Sequence, residues 1–257
     1  MLDKQLISRN FSLSAQHYDE HAIMQREMAD RLFSLLTTYD LQLTTILDIG
    51  CGTGYLTGKL AERFPSARVE GIDIAPGMIE VANKLKRENI TFKIGDGEDI
   101  RGVGDEVWGM GEYDLIVSNA SLQWMSVEKV FASVAKLLKP GGLLVFSTFG
   151  PKTLSELKEC GFKVNEFPDT IAIEGLTKPN FQNIFLASQV SREKFGDVKE
   201  LVYHLKELGA QTSAGENKFT PAAFRAYKQK YGGADGIAAS FELVYGVFRR
   251  KPSPAGV

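Results

Sequence analysis

The sequence predicts an α/β fold in which helices cover both faces of an open, mostly parallel sheet. Three observations predict it. Between residues 45 and 149, short β-branched runs alternate with longer stretches whose apolar residues recur every three or four positions. The first run, ILDIG, passes directly into CGTGY, a glycine turn that opens a helical pattern. The last quarter changes character and ends in a long β-rich stretch, IAASFELVYGVFRR.

At the N-terminus, FSLSAQHYDEHAIMQREMADRLFSLL is amphipathic and helical, interrupted near HYDEHA, and can lie across the sheet edge where such folds bind ligands. Strands are expected at Thr45–Ile49, Arg68–Ile72, Ile90–Ile94, Tyr113–Ser118 and Leu143–Phe149. YLTGKLAERFP, APGMIEVANKLKREN and SVEKVFASVAKLLKPGG join them as helices, with Pro or Gly at several boundaries. Further on, Asn183–Phe195 reads as a strand that pairs with the final one. FTPAAFRAYKQKYGG reads as a helix with Thr220 as N-cap, Pro221 at its first position and Gly232 as its stop. The closing KPSPAGV reads as a frayed tail.

Composition narrows the function. The chain has 257 residues, 44% hydrophobic and 24% charged, which suits a globular protein with one large core. Thirty Lys and Arg against 32 Asp and Glu leave a formal charge of -2, without the basic surplus of a nucleic-acid binder. The N-terminal MLDKQLISRNF lacks the apolar core of a signal peptide, and no segment approaches the roughly 20 apolar residues of a membrane span, so a cytoplasmic protein is expected. Cys51 and Cys160 alone build neither a disulfide framework nor a zinc cluster. His17 and His21 stand four apart with no third ligand at useful spacing, and no metal is expected. His204 reads as a packed or capping histidine.

A strand ending in a glycine turn offers free N–H groups and close approach to a nucleotide-like ligand. In ILDIGCGTG the glycines Gly50, Gly52 and Gly54 follow G-x-G-x-G, one place short of the dinucleotide pattern, and no GK[ST] follows for a phosphate loop. Asp48 would repel a pyrophosphate but suits a ligand with an ammonium or sulfonium charge, and S-adenosylmethionine carries both. Asp73, at the end of the next strand, is placed to accept from two ribose hydroxyls. Asp96 in IGDGEDI can accept from an adenine amino group, with Gly97 and Glu98 beside it.

The ordered set LDIGCGTG, the acid ending the second strand, GDGED, YDLIVSNASLQW and LLKPGGLLVF resembles the class I S-adenosylmethionine-dependent methyltransferases over roughly residues 44 to 150. The resemblance implies a Rossmann-like, seven-stranded, mostly parallel sheet with an antiparallel C-terminal strand and an N-terminal helical cap. Residues 1–43 would form the cap, 44–150 the cofactor-binding core, and 151–257 an acceptor-binding segment with the strands that complete the same domain. It also implies that Asn119 and Ala120 lie beside the methionine part of the cofactor, that Ile74 and Met78 join its binding set, and that S-adenosyl-L-homocysteine is the product.

Four further segments, FSLSAQHYDEHAIMQREMADRL, SNASLQWM, STFGPKTLSELK and LVYHLKELGA, are similar to the malonyl-[acyl-carrier protein] O-methyltransferases of biotin synthesis. That family esterifies the free carboxylate of a malonyl thioester so that fatty-acid synthase can extend it toward pimeloyl. The implied partner is an acyl carrier protein bearing a malonyl-phosphopantetheine arm, or malonyl-coenzyme A. A carboxylate is already ionised at pH 7, so no general base is needed. By the resemblance, Tyr18 is a gate over the cofactor, and Gln25 and Arg26 help close its pocket. Gln123 and Trp124 are candidates to line the acceptor pocket. Where many members carry an Arg after the Asn of an NRF-like segment, this chain reads VNEF with Glu166, and Lys152 or Arg192 is the alternative clamp for the malonyl group. The residues themselves leave open another small carboxylate, a quinone-pathway acceptor, or a cofactor-binding subunit without catalysis.

Overall fold

Residues Thr45–Ile49 form a first strand, β1, in which Ile46 packs into one hydrophobic cluster while Leu47 and Ile49 pack into another on the opposite face. This alternation with both faces apolar is the mark of a strand between two helical layers. The computed structural model describes residues 3–39, 41–100, 113–209, 221–233 and 235–252. Thr220 and most of the KPSPAGV tail lie outside the described residues.

Among the described residues three helices precede β1: α1 (Lys4–Ser14), α2 (Tyr18–His21) and α3 (Ile23–Thr37). The Asp3 carboxylate caps α1 by accepting from the N–H groups of Gln5 and Leu6. The break anticipated near HYDEHA falls on either side of the one-turn α2. The core then alternates α4 (Tyr55–Arg63), β2 (Arg68–Asp73), α5 (Pro76–Ala82), β3 (Ile90–Ile94), β4 (Tyr113–Asn119), a 3-10 turn (Leu122–Trp124), α6 (Val127–Leu137) and β5 (Leu138–Phe149). It continues with α7 (Ser155–Glu159), α8 (Thr170–Thr177), β6 (Phe181–Phe195), α9 (Val198–Glu207), α10 (Pro221–Tyr231), a two-residue β7 (Gly232–Gly233) and β8 (Gly236–Arg250).

Sheet order is β3-β2-β1-β4-β5-β8-β6, with β7 paired to β8. The first five of these run parallel, and β8 is antiparallel to both β5 and β6. Several of the sequence's boundaries shift, β2 and β4 by one residue and others by more. The helix expected over APGMIEVANKLKREN stops at Ala82, and β5 starts five residues early because Leu138 pairs with Tyr113 before the register shifts. The periodicity also misses α8, which starts where Asp169 caps the Ala172 N–H at 2.7 Å. Gly232 does stop α10, but as the first residue of β7.

Helices α3 and α4 cover one face through Met28, Leu32, Leu56 and Leu60, and α6 and α8 cover the other through Phe131, Val134 and Ile173. Among the described residues no helix is long and apolar enough to cross a membrane. Strand order reverses between β1 and β4, so their C-terminal ends splay and leave a crevice. The N-terminal helices close over that crevice, with α1 held by Ser8 Oγ donating to the Ile74 carbonyl at 2.9 Å and by the Gly77 N–H donating to Ser12 Oγ at 3.2 Å.

Candidate active site

The turn after β1 is built by its glycines. Gly50, Gly52 and Gly54 all adopt positive φ, and a Cβ at Gly50 would stand 2.5 Å from Ser121 Cβ. The turn is anchored when the Gly50 and Cys51 N–H groups donate to the Ile72 carbonyl at 2.8 and 2.9 Å. It is fixed again when the Gly52 N–H donates to Asp73 Oδ2 at 3.0 Å. The other carboxylate oxygen of Asp73 accepts from the Ala75 N–H at 2.9 Å. Burial raises the Asp73 pKa, against the pull of the Ala75, Gly52 and Ile74 N–H groups.

Three cavities meet at Tyr18, which lines each of them. Burial, with the charges of Asp73 and Asp19, pushes its phenol pKa up, so the hydroxyl stays a proton donor at neutral pH. The first cavity, a slot of about 70 Å³, runs past Gly50, Gly52, Asp73, Ile74 and Met78 to Asp96 and Gly97, with Asn119, Ala120 and Trp124 on its other side. Apart from Trp124, which was expected on the acceptor side, these are expected cofactor residues, brought together from four strand ends. Lys4 of α1 reaches over the slot and pairs with Asp96 Oδ2 at 2.5 Å and Glu98 Oε2 at 2.9 Å. Glu98 itself does not line the slot: its Oε1 accepts from the Ser126 N–H at 2.7 Å and so ties the β3 loop to the start of α6. Burial alone would raise the Glu98 pKa, but Ser126, Lys4 and Lys129 outweigh it and hold the carboxyl below its ordinary value.

Gly54 does not face the slot either. It starts α4 with φ +86°, and its missing side chain makes room for Phe92 and Leu85. Gly97 borders the slot, yet a Cβ there would lie 2.6 Å from both Ile49 Cγ2 and Met125 Sδ, so close packing also demands glycine.

The second cavity, about 50 Å³, lies between the glycine turn and α3. Three buried polar atoms beside it lack hydrogen-bond partners among the described residues: Asp48 Oδ1, Gln25 Oε1 and Arg26 Nε. Asp48 is 1% exposed; its Oδ2 accepts from Thr57 Oγ1 at 2.6 Å. Burial pushes Asp48 up to about 7, opposed by the Thr57 hydrogen bond and aided by the Asp73 charge. An unsatisfied buried polar atom costs about 1–3 kcal/mol, so three around one small space call for a ligand. Two acceptors match an ammonium and one guanidinium donor matches a carboxylate. Together they fit the zwitterionic end of an amino acid, and with the slot beside them they fit S-adenosylmethionine. Sequence reading placed Gln25 and Arg26 on the pocket-closing helix but had no signal for which atoms face inward. The Asn119 amide holds that helix to the sheet, donating to the Gln25 carbonyl at 2.9 Å while its Oδ1 accepts from Ser147 Oγ at 2.7 Å. Beside it, Ala120 sits at φ 47°, in the left-handed region that costs a non-glycine residue about 1–2 kcal/mol.

The third cavity is the largest, about 420 Å³, and mostly apolar, with Phe11, Trp124, Phe149 and Phe162 among its walls. Trp124 meets Phe11 edge to face at 5.4 Å. Gln123 is fixed in its wall, donating to the Ala120 carbonyl at 2.6 Å and accepting from Thr148 Oγ1 at 3.3 Å. Lys152 and Arg192 are not brought here. The Lys152 N–H turns inward to Glu242 Oε2, leaving the side chain exposed, and Arg192 stands exposed on β6 opposite Ser240. Cations reach the cavity from elsewhere, as Lys163 and Lys206, and Asn165 of the VNEF segment lines it whereas Glu166 is exposed.

The fold and sequence have known counterparts. Residues 46–142 match the methyltransferase domain family. Among solved structures, the chain superposes on geranyl diphosphate C-methyltransferase from Streptomyces coelicolor with a TM-score of 0.55 at 16% identity, covering 86% of this chain and 78% of that one. It superposes on phosphoethanolamine N-methyltransferase 2 of Haemonchus contortus with a TM-score of 0.55 at 19% identity, covering 87% and 53%. Malonyl-[acyl-carrier protein] O-methyltransferase 2 of Ilyobacter polytropus is 34% identical over 95% of this chain and 97% of its own length. The malonyl-[acyl-carrier protein] O-methyltransferase of Acetivibrio thermocellus is 34% identical over 98% and 95%. Likeness of this extent runs from the N-terminal helices through the glycine turn to the C-terminal strands, and the chain belongs to the malonyl-[acyl-carrier protein] O-methyltransferase family.

Proposed function

We propose that this chain transfers the methyl group of S-adenosylmethionine to the free carboxylate of a malonyl group carried by acyl carrier protein, in the cytoplasm. The observation that carries the reading is the trio of unpartnered atoms, Asp48 Oδ1, Gln25 Oε1 and Arg26 Nε, next to a large apolar cavity that opens at Tyr18. When bound, the cofactor supplies an electrophilic sulfonium methyl. Asp48 and Gln25 hold its amino group, Arg26 its carboxylate, Asp73 its ribose and Asp96 its adenine edge. Lys4 pairs with Asp96 and covers that end of the slot.

On the acceptor side the chain contributes alignment and dryness rather than proton transfer. The malonyl carboxylate arrives ionised, and the walls formed by Phe11, Trp124 and Phe149 strip water from it, which strengthens the nucleophile. Tyr18 stays protonated and donates a hydrogen bond at the junction of the cavities, which fixes the carboxylate in line without neutralising it. Gln123, locked by two hydrogen bonds, presents a rigid polar wall.

Incubation with methyl-labelled S-adenosylmethionine and malonyl-acyl carrier protein is expected to yield the carrier-bound methyl ester, identified by mass. Label on a free acid with none on the carrier thioester would overturn the acceptor. Tyr18→Phe is expected to lower kcat roughly tenfold, about 1.4 kcal/mol of barrier, with the cofactor Kd nearly unchanged. Wild-type kinetics in that variant would return Tyr18 to a packing role.

A further inference from the structure

The helix α9 builds one wall of the acceptor cavity and leaves another face to solvent. Leu201 is buried and Val202 and Leu205 point to the core, while Lys199, Tyr203 and Lys206 are exposed, Tyr203 at 57%. Spacings of four and three residues set those three side chains on one stripe of the helix. Lys206 both lines the cavity and is solvent-exposed, so it stands at the cavity mouth, and Lys163 shares that rim from the segment before α8. Neither Lys199 nor Lys206 forms an ion pair among the described residues. The acidic residues of α9 point elsewhere: Glu200 accepts from the Gly196 N–H, and Glu207 faces His21 at 3.9 Å.

A chain of formal charge -2 thus carries, beside the largest of these three cavities, two lysines with a tyrosine between them, while the flanking Glu200 and Glu207 are engaged by the Gly196 N–H and by His21. We infer that this face of α9 is the docking surface for the carrier protein, received as an acidic helix whose carboxylates meet Lys199 and Lys206 while an apolar side chain packs on Tyr203. This rests on the proposed carrier-bound substrate and deepens it. The charge pattern favours an acidic helix over the phosphodiester of the arm, because Lys199 lies two helical turns from the mouth, where an arm entering the cavity does not pass. Complementary charge of this kind acts on encounter and on KM, and it weakens with salt.

Lys199→Glu tests this away from the cavity. KM for malonyl-acyl carrier protein is expected to rise roughly tenfold with kcat unchanged, whereas KM for malonyl-pantetheine and malonyl-coenzyme A stays within about twofold. Equal KM values for wild type and variant with the carrier substrate would overturn the proposal, as would an equal rise with the coenzyme A thioester, which would mark a phosphate site instead. A binding measurement separates docking from chemistry. Labelled carrier protein without its arm should bind the wild-type chain in fluorescence anisotropy and lose at least about fivefold in affinity with Lys199→Glu or Tyr203→Ala. Unchanged affinity would overturn the docking surface even if the chain methylates the carrier thioester. If the wild type methylates no malonyl thioester, the proposed function fails while the anisotropy result still decides the surface.

Discussion

Asp48 stands at the end of β1 with 1% exposure, one oxygen bonded to Thr57 and the other without a hydrogen-bond partner among the described residues. Its folded-state pKa is raised by burial from 3.8 to about 7, above its unfolded value. The stability it contributes is therefore full below about pH 4 and is lost as pH rises through about 7. A cationic ligand group favours the ionised form, so cofactor binding near pH 6 should release a proton, with affinity rising up to about tenfold per pH unit below pH 7. Calorimetry in buffers of different ionisation heat measures that proton directly; Asp48→Asn should bind the cofactor weakly and without proton release. The same variant should make the ligand-free protein more stable at pH 8, since a buried charge is gone. The sequence made Asp48 legible as an acid suited to a positive ligand, because a carboxylate beside a glycine turn is unusual for phosphate sites. That one oxygen is orphaned, and that Gln25 and Arg26 complete the set, depends on how α3 lies over the sheet.

At the scale of an element, the turn from β1 to α4 uses its glycines for different ends. A Cβ at Gly52 would meet nothing within 4 Å, whereas at Gly54 it would stand 2.8 Å from Phe92 Cζ and 2.9 Å from Leu85 Cδ1. Gly52→Ala should cost about 1–2 kcal/mol of stability for its left-handed φ and weaken the cofactor by tenfold or more, as its methyl enters the ligand space. Gly54→Ala should cost about 2–3 kcal/mol by strain and overpacking. Denaturant titration and cofactor calorimetry on the two variants separate these effects. The glycine spacing was readable as one ligand motif, and only the packing of Phe92 against α4 divides it. Lys4 had no sequence signal at all: it precedes the stretch that reads as helical, and its pairing with Asp96 and Glu98 arises because α1 crosses the slot.

The whole molecule is held at the end of the sheet opposite the site by Asp114, which ties three strands. Its Oδ2 accepts from the Thr44 and Thr45 N–H groups at 2.8 and 3.1 Å, and Lys139 pairs with its Oδ1 at 2.7 Å. Burial would raise its pKa, but Lys139 and the Thr44 and Thr45 groups hold it down to about 2. With the folded value depressed, its stabilisation is present above about pH 4 and lost as pH falls through about 2. Asp114→Ala should lower stability by about 2 kcal/mol at pH 7 and flatten the acid limb of the curve, read by thermal melts across pH. Activity near neutral pH should survive at temperatures well below the melt, since the change lies at the far ends of β1, β4 and β5.

What the sequence by itself determined is the layered α/β architecture, the site at the β1 turn and the chemical type of its ligand. Those follow from local rules: period-two and period-3.6 burial, glycine where φ is positive, and a carboxylate at a strand end. Tertiary structure decided which polar atoms are left unpaired, that Glu98 ties the β3 loop to α6 while Gly54 makes room for Phe92 and Leu85, that Lys152 and Arg192 stand outside the large apolar cavity, and that Lys163 and Lys206 stand at its mouth. Each of these depends on how elements distant in sequence cross, and the energy that sets a crossing is spread over a whole core rather than written in any one segment.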